Sequence, residues 1–146
     1  MKNSSKRPSS LAKLIAVSWQ QIVLLCKALG ILTIYKGQLL MVPFRYLIKK
    51  VDQRTVAQIT PDEYTLQTTV WAIRVVSNRI PLGFTCLVQA LSAKWLLRKH
   101  SGVRIHIGVH KSTAQEFSAH AWVTYNGTVI LGEQTTQVFQ PILEWK

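Results

Sequence analysis

The dipeptide Asn126-Gly127 is the feature that most constrains the fold of this chain. It is a strong signal for a two-residue β-turn, because both central residues of that turn need positive φ angles, which asparagine and glycine tolerate. The segments on either side, 117–125 and 128–131, therefore predict two antiparallel strands. Upstream, Val103–His110 alternates strictly between apolar and polar residues and predicts a third strand. The tail has room for one short edge strand.

The residues before this sheet carry helix signals. Apolar residues at three- and four-residue spacing predict an amphipathic helix that starts from a cap at Ser9 or Ser10 and runs to about Leu29. We expect Gly30 to end or bend it, and residues 31–40 to form a second helix. Residues 1–9 are polar and basic, which is typical of a disordered tail.

Two further helices have clear start signals. Thr60-Pro61-Asp62-Glu63 predicts a helix with Thr60 as N-cap and Glu63 at the third position, the pattern of a capping box. Thr85 is predicted to cap a helix from Cys86 to about His100, and Gly102 is a natural left-handed stop after it. Helices followed by an antiparallel sheet indicate the α+β class.

The charge is strongly asymmetric, with 18 Lys and Arg against 6 Asp and Glu and a formal net charge of +12. The first acidic residue is Asp52. A basic N-terminal third indicates an anionic partner, which could be nucleic acid, a membrane surface or an acidic peptide. No helix-turn-helix, RNP or zinc pattern accompanies it, so we do not expect nucleic-acid binding. Arg45, Lys49 and Lys50, mixed with aliphatic residues, are candidates for docking a substrate or partner.

The two cysteines, Cys26 and Cys86, fit neither a CxxC pattern nor a disulfide framework, which favours a reduced, cytoplasmic protein. The basic start resembles the first part of a signal peptide, but Gln20, Gln21 and Lys27 interrupt the apolar run. For the same reason the segment Leu11–Val42 is a poor transmembrane span, since it lacks about 18 uninterrupted apolar residues. Peripheral membrane contact stays open.

Cys86 is the candidate nucleophile. The first turn of a helix has unpaired N–H groups and the positive end of the helix dipole, and both favour a thiolate. Its backbone N–H is a candidate oxyanion donor. Cys26, in the middle of an apolar helix face, is expected to be a small hydrophobic residue. A structural role for Cys86 is the alternative.

His120 is the candidate base. It lies between Ala119 and Ala121, whose small side chains leave room around an imidazole. We expect His100 to be a surface residue at a helix end, and His106 and His110 to face away from the buried side of their strand. No cysteine or carboxylate lies at ligand spacing from these two, so no metal or cofactor is expected.

The hairpin suggests a third site residue. With a two-residue turn, Tyr125 pairs with Thr128, and continued pairing in that register places His120 opposite Glu133. A carboxylate there would orient the imidazole, as in a catalytic triad. A bulge at Gly132 would shift the register by one residue. An ordinary cross-strand pair is the alternative.

Several short blocks in this order resemble the leader peptidases of lasso-peptide biosynthesis, which are transglutaminase-like cysteine proteases. The resemblance spans about residues 60–146. The blocks are Arg79-x-Pro81, Cys86-Leu87-x-x-Ala90-Leu91, Leu96-Leu97-Arg98, Ile107-Gly108-Val109, Ala119-His120-Ala121-Trp122-Val123 and Asn126-Gly127. Trp122 within the fifth block is a further candidate for substrate or partner docking.

The resemblance implies a transglutaminase- or papain-like core, with the nucleophile helix packed on an antiparallel sheet and amphipathic helices before it. It implies cleavage of a leader peptide from a ribosomally made precursor by Cys86, His120 and a third residue at Glu133, where the family more often has aspartate. The implied partners are the precursor, a small leader-recognition protein and an asparagine-synthetase-like cyclase.

The resulting hypothesis has three regions: a tail over 1–9, a helical partner-docking region over 10–51 and a protease core over 52–146. Two alternatives remain. The chain could be a non-catalytic transglutaminase-like adaptor that binds the precursor or its processing partners. It could also be a basic protein that binds nucleic acid or a membrane surface.

Overall fold

The computed structural model describes residues 18–43, 46, 60, 62–111, 117–133 and 139–145. Three helices come first in this part of the chain: α1 (Trp19–Met41), α2 (Glu63–Arg79) and α3 (Cys86–Leu96). Four strands follow: β1 (Val103–Lys111), β2 (Phe117–Tyr125), β3 (Thr128–Leu131) and β4 (Gln140–Trp145). They form one antiparallel sheet in the order β3-β2-β1-β4. The α+β class and the four predicted strands are confirmed.

Helix α1 is one continuous helix where two were predicted. Ser18 caps its first turn, with its hydroxyl accepting from the Gln21 N–H and the Gln21 side chain accepting from the Ser18 N–H. The predicted end at Gly30 is wrong, because the helix continues through this residue, and the predicted bend there stays a prediction. A glycine inside a helix costs about 1 kcal/mol relative to alanine. Burial of the next two residues, Ile31 and Leu32, outweighs that cost. The predicted cap at Ser9 or Ser10 lies outside the described residues.

Helix α1 also changes the argument about a membrane span. By length and composition alone it could cross a membrane, although most of its apolar window is not buried within the fold. The argument from interrupted apolar residues in Leu11–Val42 therefore does not hold for this helix. A core helix of a soluble protein and a signal sequence meet the same criterion. Its buried residues, Ala28, Ile31, Leu32 and Tyr35, belong to the same hydrophobic cluster as those of α2 and α3.

Helix α2 begins two residues later than predicted. Asp62, rather than Thr60, occupies the N-cap position, and the first helical residue is Glu63. Aspartate favours the N-cap position at least as strongly as threonine, although the Asp62 side chain makes no capping hydrogen bond to the first turn. The Thr65 side chain beside Asp62 lowers the pKa of that carboxyl below its usual value of 3.8.

Helix α3 starts where predicted and ends earlier. Thr85 is its N-cap, and the Thr85 hydroxyl accepts from the Val88 N–H at 3.4 Å. The predicted end near His100 is wrong, because the helix stops at Leu96 and tightens into a turn in which the His100 N–H donates to the Leu97 carbonyl. Gly102 has a φ angle of 82°, which confirms the predicted left-handed conformation.

The β2–β3 hairpin has the predicted turn, with φ angles of 48° at Asn126 and 86° at Gly127. The pairs Tyr125–Thr128 and Thr124–Val129 keep the predicted register. The register then shifts, so that Val123 pairs with Leu131, and β3 ends there.

The hydrophobic core lies between the helices and one face of the sheet. Residues of all three helices pack together with buried residues of β1, β2 and β3. Ile105, Val123, Leu32, Ile73 and Leu97 are fully buried. Helix α1 therefore shares a core with the residues after 52. The predicted boundary at 51/52 lies outside the described residues.

Candidate active site

Cys86 is the first residue of α3 and is half-buried. At this position its N–H has no acceptor within the helix, because the first four N–H groups of an α-helix lack one. The thiol therefore lies at the positive end of a capped helix, and the role of the Cys86 N–H as an oxyanion donor stays a prediction. Cys26 differs: it lies in the middle of α1 and is exposed, so its predicted role as a buried hydrophobic residue is wrong.

The loop before Cys86 is held by α1. The Lys36 ammonium donates to the Gly83 carbonyl at 3.3 Å and lies 5.9 Å from the centre of the Phe84 ring. Phe84 is buried, and its carbonyl accepts from the Gln89 side chain at 3.1 Å. Both ends of the Gly83-Phe84 segment are therefore attached to helices, which fixes the entry of the chain into Cys86.

His120 lies on β2, half-buried, and pairs across the sheet with Gly108 of β1. Because glycine has no side chain, the β1 residue directly opposite His120 leaves space for the imidazole. The ring is flanked by Phe139, with centroids 5.2 Å apart, and by Trp122, stacked at 6.2 Å. Two aromatic residues therefore hold the imidazole in place.

Among the described residues the His120 ring has one hydrogen bond, between its Nε2 atom and the Gly132 carbonyl, at 2.7 Å. A carbonyl oxygen only accepts, so Nε2 must carry the proton. Gly132 has a φ angle of 82°, and a Cβ atom added there would lie 2.8 Å from the Ala121 carbonyl oxygen. No residue other than glycine fits this position without displacing the backbone.

The predicted opposition of His120 and Glu133 is wrong as a strand pair. The register shift in the hairpin removes the pairing on which it depended, and β3 ends before reaching His120. Glu133 is exposed, and no hydrogen bond to His120 is found for it among the described residues. The role of Glu133 in orienting the His120 ring stays a prediction, and no contact between the two described side chains supports it.

Helix α3, which begins at Cys86, packs against β2, which carries His120. The β2 residues that join the core shared with α3 are Ala121 and Val123, the strand neighbours of His120 and not His120 itself. Within the described residues no hydrogen bond links the Cys86 thiol to His120. Catalytic hydrogen bonds often tighten only when the substrate binds.

The other histidines have different surroundings. The His106 Nε2 atom lies 2.8 Å from the Thr124 hydroxyl, and its ring stacks on Trp122 at 5.5 Å. His110 contacts Phe139 edge-on. His100 is half-buried, and its Nδ1 atom has no partner among the described residues, which corrects its predicted surface position. Across the residues that the structure describes, no three His, Cys, Asp or Glu side chains are grouped as metal ligands would be.

The predicted docking residues fall in two places. Trp122 lies between His106 and His120, so it packs against the candidate base. Arg45, Lys49 and Lys50 lie outside the described residues.

No sequence signal marked two further features: the carbonyl of Gly132, and a mostly apolar groove of about 380 Å³ between α2 and β3. The groove is lined by Leu66, Gln67, Val70, Trp71, Arg74 and Ile130.

Comparison with known protein families identifies the family of this chain. A family model described as the transglutaminase-like superfamily matches residues 36–144, which is more than half of the chain. The match includes Cys86, His120 and the strands around them. No curated protein and no solved structure gave a significant match. The chain therefore belongs to the transglutaminase-like superfamily.

Proposed function

We propose that this protein is a cytoplasmic cysteine endopeptidase that removes the leader peptide from a ribosomally synthesised lasso-peptide precursor. The observation that carries the proposal is a half-buried cysteine at the first position of a capped helix that packs on the strand bearing His120, in a transglutaminase-like chain. The sequence blocks around both residues support the choice of substrate.

The reaction proceeds in two stages. The Cys86 thiolate attacks the carbonyl carbon at the leader–core junction, and the oxyanion is held by the Cys86 N–H. As the tetrahedral intermediate collapses, protonated His120 donates to the leaving amine of the core peptide. This leaves the leader as a thioester on Cys86. His120 then removes a proton from water, which attacks the thioester, releases the leader acid and regenerates the thiol.

The proposal includes the partners that a separate peptidase needs. A small recognition protein would bind the leader and deliver it, and an asparagine-synthetase-like cyclase would close the released core. The basic N-terminal residues suit an acidic segment of one of these partners, with peripheral membrane contact as the other use of the same charge.

We expect the reading frames beside this gene to encode a short precursor peptide and a small recognition protein. The test is cleavage of that precursor, with and without the recognition protein, followed by mass spectrometry. Cys86→Ala should leave the precursor intact, whereas the matched control Cys26→Ala should cleave it at the wild-type rate. Circular dichroism should show the same fold for both variants. Full activity in Cys86→Ala would exclude this mechanism.

The second candidate is a non-catalytic adaptor that binds the precursor or its processing partners. The observation that favours it is the absence, within the described residues, of a hydrogen bond between Cys86 and His120. Thiol alkylation separates the two. A catalytic Cys86 should react with iodoacetamide faster than Cys26 at pH 6. The thiol of an adaptor should react only as the pH approaches the pKa of an ordinary cysteine, about 8.5.

A further inference from the structure

We propose that the main-chain carbonyl of Gly132, and not the Glu133 carboxylate, is the group that positions His120 for catalysis. The inference rests on the proposed function in taking His120 as the base. It starts from the 2.7 Å hydrogen bond between the His120 Nε2 atom and the Gly132 carbonyl oxygen. This is the only hydrogen bond of the His120 ring to another described residue.

The hydrogen bond fixes which nitrogen can act. Because the carbonyl oxygen accepts, Nε2 holds the proton and Nδ1 carries the lone pair in the neutral ring. Nδ1 is therefore the atom that takes the Cys86 proton and later returns it to the leaving amine. When the ring becomes an imidazolium, Nε2–H still donates to the same carbonyl, so the ring keeps one orientation through both proton transfers.

The position of this carbonyl is determined by close packing. The register shift in the hairpin brings Gly132 alongside Ala121 and Trp122. A Cβ atom at residue 132 would lie 2.8 Å from the Ala121 carbonyl oxygen and 3.0 Å from Trp122 Cα. The glycine therefore allows an approach to β2 that any other residue would prevent, and this approach places its carbonyl at the imidazole.

The surroundings suit a neutral acceptor. Phe139 and Trp122 flank the His120 ring, and the half-buried site is more apolar than water. A main-chain carbonyl accepts a hydrogen bond there without bringing a charge that would have to be desolvated. Glu133, the next residue, is exposed, which leaves its carboxylate solvated.

The experiment compares Gly132→Ala with the matched control Gly127→Ala. Both glycines have φ angles in the left-handed region, 82° and 86°, so both substitutions introduce a similar backbone strain. Nothing lies within 4 Å of a Cβ atom at residue 127, so the control strains the chain without moving a neighbour. A third variant, Glu133→Gln, removes the carboxylate charge and keeps the carbonyl.

The first measurement is NMR of the His120 ring in ¹⁵N-labelled full-length protein, assigned with His120→Gln. The wild type and Gly127→Ala should show a protonated Nε2 whose proton exchanges slowly with water. Gly132→Ala should lose that slow exchange, and Glu133→Gln should keep it. Slow exchange that survives in Gly132→Ala, or disappears in Glu133→Gln, would overturn the inference.

The second measurement is precursor cleavage. Gly132→Ala should lower kcat by about 100-fold with little change in KM, which is the scale of a general base that is no longer oriented. Glu133→Gln should lose less than Gly132→Ala. The reverse order would assign the role to the carboxylate. If the wild type cleaves no precursor, the proposed function fails, while the NMR measurement still decides the partner of His120.

A backbone substitution covers the case in which Gly132→Ala does not fold. Replacing Glu133 by its α-hydroxy acid turns the amide between residues 132 and 133 into an ester, whose carbonyl is a weaker acceptor. No Cβ atom is added, so the clash with Ala121 does not arise. The exchange of the Nε2 proton should accelerate in this variant, and an unchanged rate would count against the carbonyl.

Discussion

The helix start at Cys86 is set by residues beside it in the sequence, whereas the surroundings of His120 come from residues farther along the chain. The cap at Thr85 and the Gly83-Phe84 loop lie within three residues of the cysteine, and Lys36 of α1 adds one distant contact to that loop. The partner of His120 is Gly132, twelve residues away, and its ring contact is Phe139. A helix start needs only local chemistry, while the environment of a strand residue depends on how other segments return to it.

This difference explains which half of the site was predictable. The capped helix start at Cys86 followed from residue types and was confirmed. The carboxylate partner of His120 was deduced from one turn by extending its register, and a single shift after Thr124 removed that pairing. Hairpin arithmetic therefore holds for the pairs next to the turn and fails where a bulge intervenes.

Among the substitutions that test this comparison, loss of the His120 imidazole should have the largest effect. His120→Ala should lower kcat for precursor cleavage by about 10²- to 10⁴-fold, because no group remains to move the proton of Cys86. His106→Gln is the control, since His106 lies on the other side of Trp122 and bonds Thr124. A smaller loss in His120→Ala than in the control would show that His120 is not the base.

The next effect concerns the support behind Cys86. Leu32 is fully buried in α1, so Leu32→Ala should lower the free energy of unfolding by about 2–5 kcal/mol. Ile34, on the same helix and 53% exposed, provides the control. Ile34→Ala should change the free energy of unfolding by less than about 0.5 kcal/mol. Urea denaturation measures both. Equal, small effects would make α1 an attached docking segment rather than part of the core.

Removal of the local cap should have a moderate effect. Thr85→Ala should lower the free energy of unfolding by about 1 kcal/mol, because the Val88 N–H loses its acceptor. Alkylation of Cys86 at pH 6 should slow in the same variant, since the first turn is less well fixed. Thr33→Ala is a control, as its hydroxyl bonds a carbonyl within α1 and caps nothing. An unchanged rate of alkylation in Thr85→Ala would show that the cap does not affect the reactivity of the Cys86 thiol.

The smallest effect is expected at Gly30. Because α1 passes through this residue and nothing lies within 4 Å of an added Cβ atom, Gly30→Ala should raise the free energy of unfolding by about 0.5–1 kcal/mol. Thermal unfolding followed by circular dichroism measures this change. A loss of stability would indicate that the helix is bent at Gly30, as the sequence suggested.

The sequence by itself determined the α+β order, the Asn126-Gly127 hairpin and the start of α3 at Cys86. Each depends on caps, turns or alternation, which act over two to four residues. The tertiary structure decided that α1 is one helix, that the hairpin register shifts and that a carbonyl faces His120. These depend on burial and on contacts between distant segments, whose free energy no short stretch of sequence contains.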